Sequence, residues 1–152
     1  MTYEELQIQH ENLNIVEMDL SGVNGLKGLY VDGNIAVAEN IPEKEKACIL
    51  AEELGHYYTT TGDILDQTTT DSRKQERKAR IWAYNKQIGL LGIVKAYQQS
   101  CRNRYEVAEY LGVTEEFLDD ALKAYRSKYG IYAIVDNYII YFEPAIGVME
   151  IR

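Results

Sequence analysis

The stretch Ala47-Cys48-Ile49-Leu50-Ala51-Glu52-Glu53-Leu54-Gly55-His56-Tyr57-Tyr58 decides how this chain is read. Apolar residues return every three or four positions, at Ala47, Leu50, Ala51, Leu54 and Tyr58, so the stretch reads as a helix with that stripe turned to the core. Off the stripe, Glu52 and His56 stand at i and i+4, the spacing that puts two side chains on one helix face, and Glu53 follows Glu52 directly. The layout is one residue away from His-Glu-x-x-His, in which two histidines hold a metal and the glutamate activates a water. Glu52 occupies the place of the first histidine. On these residues alone two readings stay open: a metal site, or an exposed helix pair worth only ~0.2–0.5 kcal/mol. Gly55 in mid-helix costs about 1 kcal/mol relative to Ala, so it marks a close approach of another backbone or of a substrate.

A length of 152 residues corresponds to one domain, and 46% hydrophobic with 26% charged residues is ordinary for a globular protein. No run of 18 apolar residues exists, and Met1-Thr2-Tyr3-Glu4-Glu5-Leu6 lacks the basic start and apolar core of a signal peptide. The expectation is a cytoplasmic protein without a membrane segment. Cys48 and the distant Cys101 give neither a disulfide framework nor a Cys-x-x-Cys metal site, and read as buried free thiols. The net charge of −8 argues against direct nucleic-acid binding, which needs clustered Lys and Arg, and suits a basic protein partner. With His10 and His56 the only histidines, any metal must be held mainly by carboxylates. Nothing near His10 in sequence supplies partners, so it reads as a surface or satisfied core residue and not as a ligand.

Outward from the motif helix, the chain divides readily. Thr2 to Glu11 reads as a short helix and Asn14 to Leu20 as a strand. Asp32-Gly33 between Gly28–Val31 and Asn34–Ala38 signals a two-residue hairpin turn. Pro42 opens the motif helix, with Glu43 and Glu45 at its positive end, and Thr59-Thr60-Thr61-Gly62 closes it. After a loop rich in Thr and Asp, Ser72-Arg73-Lys74-Gln75 resembles a capping box that starts a second long helix, from about Ser72 to Ile88 and ended by Gly89. Its inward stripe is Ala79, Trp82, Ala83 and Lys86. Glu76 falls on or beside that face, where a carboxylate is costly unless something positive meets it, or else it is one solvated charge in the basic run Arg73 to Lys78.

Tyr105 to Leu111 and Thr114 to Tyr125, joined at Gly112-Val113 with Thr114 as a cap, have the layout of a helix-turn-helix. Glu115, Glu116, Asp119 and Asp120 on the second helix would face phosphates, so the unit reads as scaffold or protein contact. Ile131 to Val135 and Tyr138 to Phe142 form a second hairpin around Asp136-Asn137. Gly147 to Ile151 follow Pro144 as a last short strand.

The order of these pieces resembles the ImmA/IrrE family of metallopeptidases, in the branch found in phages and mobile elements: a hairpin ending in Asn34-Ile35-Ala36-Val37, the helix Leu50 to Tyr57, then Gln75-Glu76-Arg77-Lys78-Ala79 with Trp82-Ala83, and a helix-turn-helix-like tail. The resemblance spans roughly Gly28 to Leu122. It implies an α+β fold: a zincin-like small mixed sheet packed on the motif helix and a second long helix, with the helix-turn-helix-like unit at about residues 104–125 and a C-terminal β-hairpin, in a single domain over residues 1–152. It also implies a zinc-dependent endopeptidase that cleaves a helix-turn-helix repressor of a phage or mobile element. His56, Glu76 and Glu52 would be the metal ligands and Glu53 the general base.

Glu52 is the departure from the family pattern, and it has chemical consequences. Two carboxylates and one imidazole donate more charge than two imidazoles and one carboxylate, so a bound water is acidified less than the pKa of about 7 usual on catalytic zinc. Glu53 would feel more repulsion and hold a proton more readily. An oxygen-rich shell favours manganese over zinc, and a metal-free protein is the limiting case. The alternative is then an antirepressor, impaired in catalysis, that binds the repressor without cleaving it through the acidic Thr114 to Asp120 surface.

Overall fold

The computed structural model describes residues 1–60 and 69–152, with side chains for 1–60 and 72–152. The chain divides into two compact units, Met1–Ala83 and Tyr84–Arg152.

In the first unit α1 (Tyr3–Gln9) leads to β1 (Asn14–Met18), the hairpin β2 (Gly28–Val31) and β3 (Asn34–Ala38), the helix α2 (Glu43–Thr59), and α3 (Thr69–Gln87), which runs on into the second unit. The sheet is mixed, in the order β1-β3-β2. β1 runs parallel to β3 with Ile15 beside Ile35, and β2 is antiparallel with Leu29 beside Ala36. Ile35, Ala36, Val37 and Ala38 of the central strand are all buried, the continuous apolar run of a strand covered on both faces. Asp32 and Gly33 both take positive φ, 48° and 79°, as the expected two-residue turn requires.

α1 begins with a reciprocal capping box, in which the Glu5 N–H donates to Thr2 Oγ1 at 3.1 Å and the Thr2 N–H to Glu5 Oε2 at 3.0 Å. α2 starts after Pro42, whose φ of −60° suits the first turn, with Glu43 and Glu45 at the positive end. It buries Ala47, Leu50, Ala51 and Leu54 as its stripe demands. Tyr58, assigned to that stripe, is instead 44% exposed. At the last turn of α2 its ring stacks on Trp82, with centroids 5.1 Å apart, while its hydroxyl meets His10 Nδ1 at 2.8 Å. His10 is buried and engaged there through Nδ1, the core position of its two readings and not the surface one. Thr60 caps α2, and the Thr61-Gly62 end together with the Thr- and Asp-rich loop lies outside the described residues.

α3 corrects one boundary. It is already helical at Thr69, so Ser72 lies inside the helix and has lost the extended backbone that a capping residue needs. Ala79 and Ala83 are fully buried as expected, whereas Trp82 and Lys86 are only half-buried.

In the second unit Gly89, at φ 66°, separates α3 from α4 (Gly89–Gln98), which is followed by α5 (Arg104–Leu111) and α6 (Glu115–Tyr129). Gly112 takes a left-handed conformation, and Thr114 caps α6 by accepting the Phe117 N–H at 3.0 Å. α6 continues one turn beyond the expected Tyr125. β4 (Tyr132–Val135), β5 (Tyr138–Tyr141) and β6 (Gly147–Glu150) make an antiparallel meander. Cys48 is buried and Cys101 half-buried, both as thiols. Among the described residues no helix is long and apolar enough to cross a membrane.

Candidate functional site

Three elements of the first unit meet at the motif: α2 brings Glu52, Glu53 and His56, α3 brings Glu76 and Arg80, and β2 lies over α2. The approach of α2 to α3 depends on Gly55, because a Cβ there would fall on the carbonyl oxygen of Ala79. One position along from Gly55 is His56, and one turn before Ala79 is Glu76. Their side chains meet, His56 Nε2 lying 2.9 Å from Glu76 Oε2. Arg80 Nε donates to the other Glu76 oxygen at 3.1 Å. The positive partner required by a carboxylate at Glu76 is therefore supplied by the protein itself.

β2 forms a wall over these groups with a period of two. Gly28 lies over Ile49 and Glu53, and a Cβ on it would come within 2.5 Å of Ile49 Cγ2 and 2.9 Å of Glu53 Oε1. Tyr30, two residues on, is nearly parallel to the His56 ring, with an interplanar angle of 10° and centroids 6.4 Å apart. Glu53 is thus packed under strand backbone. Burial, and after it the charges of Glu52 and Glu76, push its carboxyl up to about 7.

Of the four residues singled out in the sequence, His56 and Glu76 touch and Glu53 lies half-buried within reach of the charge of Glu76. Glu52 is half-buried, and its charge bears on Glu53. Among the described residues no group of three or more His, Cys, Asp or Glu side chains is arranged to hold an ion. In kind the donors fit a divalent metal, imidazole nitrogen with carboxylate oxygen. The 2.9 Å contact of His56 and Glu76 is close to the roughly 3.3 Å that two donors ~2.0–2.1 Å from a tetrahedral ion would keep. Gly28, Tyr30 and Arg80 were not singled out. Arg80 had a sequence signal, its i+4 spacing from Glu76. Gly28 and Tyr30 had none, because their facing α2 is a matter of helix-on-sheet packing.

A mixed sheet backed by a helix that presents Glu53 and His56, with Glu76 arriving from the next helix, is the arrangement of a metallopeptidase-like protein. Residues 8–123 match the family described as Peptidase_M78, IrrE N-terminal-like domain, and the chain belongs to that family. No curated protein and no solved structure matches it. The family implies a metal cofactor and a protein substrate.

Proposed function

We infer that the chain is a metal-dependent endopeptidase, with zinc or manganese as its ion, that cleaves a helix-turn-helix repressor of a phage or mobile element in the cytoplasm. The observation that carries the reading is the contact of His56 with Glu76 beside the half-buried Glu53, made inside a peptidase fold. His56 and Glu76, with Glu52 as third donor, would hold the ion, which when bound supplies Lewis-acid polarisation of the scissile carbonyl. Glu53, with its carboxyl near neutrality, takes the proton of the attacking water and passes it to the leaving amine nitrogen. β2 stands at one side of the sheet order, so a substrate segment can add to its outer edge in extended form and be held across α2. The net charge of −8 favours a basic partner such as a DNA-binding protein.

A second reading, binding of the repressor without cleavage, is favoured by one observation: both oxygens of Glu76 are already engaged, by His56 and Arg80. Elemental analysis after removal of loosely held ions, with His56→Ala alongside, separates the two. About one equivalent of metal that is lost in the variant, together with repressor cleavage that Glu53→Gln abolishes, supports the peptidase. Repressor binding by a metal-free chain, unchanged in Glu53→Gln, supports the second reading.

A further inference from the structure

A cavity of about 750 Å³ lies wholly within the second unit and shares no residue with the motif site. It opens between the start of α5, one face of α6 and the turn that joins β5 to β6. Its size falls in the range of roughly 300–1,000 Å³ usual for small-molecule sites. The walls include the buried Leu122 and Phe142 and the half-buried Ile146. A second cavity of about 280 Å³ shares Arg102, Asn103 and Ile146 with the first, and Ile93, Val107 and Val148 extend its apolar lining.

Charge distinguishes this cavity from the rest of the molecule. The chain carries 24 acidic side chains to 16 Lys and Arg, yet Arg102, Arg104, Lys123 and Arg126 line the larger cavity against only Glu115, Asp119 and Glu143. These carboxylates do not use up the cations. Asp119 is shared between Arg104 Nη1 at 2.8 Å and Lys123 Nζ at 3.8 Å. Glu143 Oε2 lies 3.2 Å from Arg126 Nε, but the N–H is not lined up with it, and this buried Nε has no hydrogen-bond acceptor. Arg102 is exposed and makes no ion pair among the described residues. Glu115 is also without an ion pair, so one spare carboxylate stands against a spare guanidinium and an orphaned buried donor.

We propose that this cavity binds a small organic anion, a carboxylate or phosphate joined to an apolar group. The head group sits between Arg102 and Arg126, whose planar guanidinium forks suit either oxyanion, and the apolar part lies on Leu122, Phe142 and Ile146. An acceptor brought to Arg126 supplies what its buried donor lacks, and a buried donor left without an acceptor is costly.

Titration of the whole chain with phenyl phosphate, phenylacetate and benzyl alcohol, followed by amide chemical shifts in solution NMR, tests this. One or both anions should shift the amides of Arg102 to Tyr105 and Glu143 to Ile146 saturably, with a dissociation constant of about 1 mM or below. The tighter of the two identifies the head group, and the neutral alcohol should bind at least 10-fold more weakly. Arg102→Glu and Arg126→Gln should each weaken anion binding by roughly 10- to 100-fold. Arg102 is exposed and outside any ion pair, so its variant should keep the wild-type melting temperature. Lys95→Glu makes the same charge change at an exposed position of α4 outside the cavity and should leave binding unchanged. No saturable shift with either anion up to about 10 mM, shifts confined to other parts of the chain, or equal binding of the alcohol overturns the proposal. So does a loss in Lys95→Glu as large as that in Arg102→Glu.

Discussion

Gly55 of α2 and Ala79 of α3 are in backbone contact, close enough that a Cβ on the glycine would overlap the alanine carbonyl. The adjacent His56–Glu76 contact depends on this approach. Gly55→Ala gains at most about 1 kcal/mol of helix propensity, but the atom it strikes is backbone and cannot swing away. Overpacking of this kind costs about 1–3 kcal/mol, so the net effect is destabilising. At ~2–4 °C per kcal/mol for a chain of this size, the melting temperature should fall by several degrees, measured by circular dichroism. The variant should also separate His56 from Glu76 and retain less metal on elemental analysis.

The same glycine shows what the sequence could and could not tell. Its cost in mid-helix announced a close approach, but only the fold named Ala79 as the other party. The β2–β3 hairpin was legible because Asp32-Gly33 is a local signal, whereas the parallel pairing of β1 with β3 joins segments about twenty residues apart and leaves no local trace. α4 went unread, because Leu90, Leu91, Ile93 and Val94, after Gly89 and interrupted by Gly92, form a short apolar run that periodicity cannot assign. At the site, the motif pointed to Glu53 and His56, whereas the helix pattern left Glu76 open between a face position and a solvated charge, and only the resemblance singled it out. The ion pair with Arg80 and the cover by Gly28 and Tyr30 follow from packing.

Lys46 is a buried cation on α2 that donates to Glu17 Oε1 at 2.8 Å and to Glu43 Oε1 at 3.4 Å. The hydrogen bond from Lys46 holds the Glu17 carboxyl below the ordinary 4.5, and the same bond raises Lys46 above 10.5. A carboxyl lowered by folding contributes stability that is complete above its unfolded pKa and is lost as pH falls through the folded one. The raised ammonium contributes fully below 10.5 and is lost only as pH rises beyond it. Glu17→Gln should therefore lower the melting temperature throughout the neutral range. The gap from wild type should close below pH 4.5, as thermal melts from pH 2 to 8 would show.

In the second unit Tyr125 is 1% exposed and its hydroxyl donates to Asn85 Oδ1 at 2.9 Å. Tyr125→Phe keeps the ring against Phe142 and Tyr129 and removes the hydroxyl with its bonds to Asn85 and to the Gly89 backbone, a loss of about 1–3 kcal/mol or ~2–12 °C. Tyr125→Ala empties the same space and should cost about 3–5 kcal/mol, as for other large aromatic truncations. Denaturant unfolding of the two variants beside wild type measures both, and near-equal losses would mean that the ring contributes little.

The engagement of Glu76 by His56 and Arg80 makes metal binding a competition between an ion and the internal pair. An ion bound by the folded chain alone stabilises it by about 2.7 kcal/mol at 100 times its dissociation constant. Zinc or manganese added to metal-stripped protein should then raise the melting temperature by roughly 5–11 °C, and chelator should reverse the rise. His56→Ala and Glu76→Gln should abolish the shift, because each removes one of the two donors already in contact. Glu53→Gln should preserve it, because Glu53 is assigned to proton transfer and not to ligation. A melting temperature that ignores both ions in wild type would mean that the His56–Glu76–Arg80 network outcompetes them, and the protein would then act on its partner by binding alone.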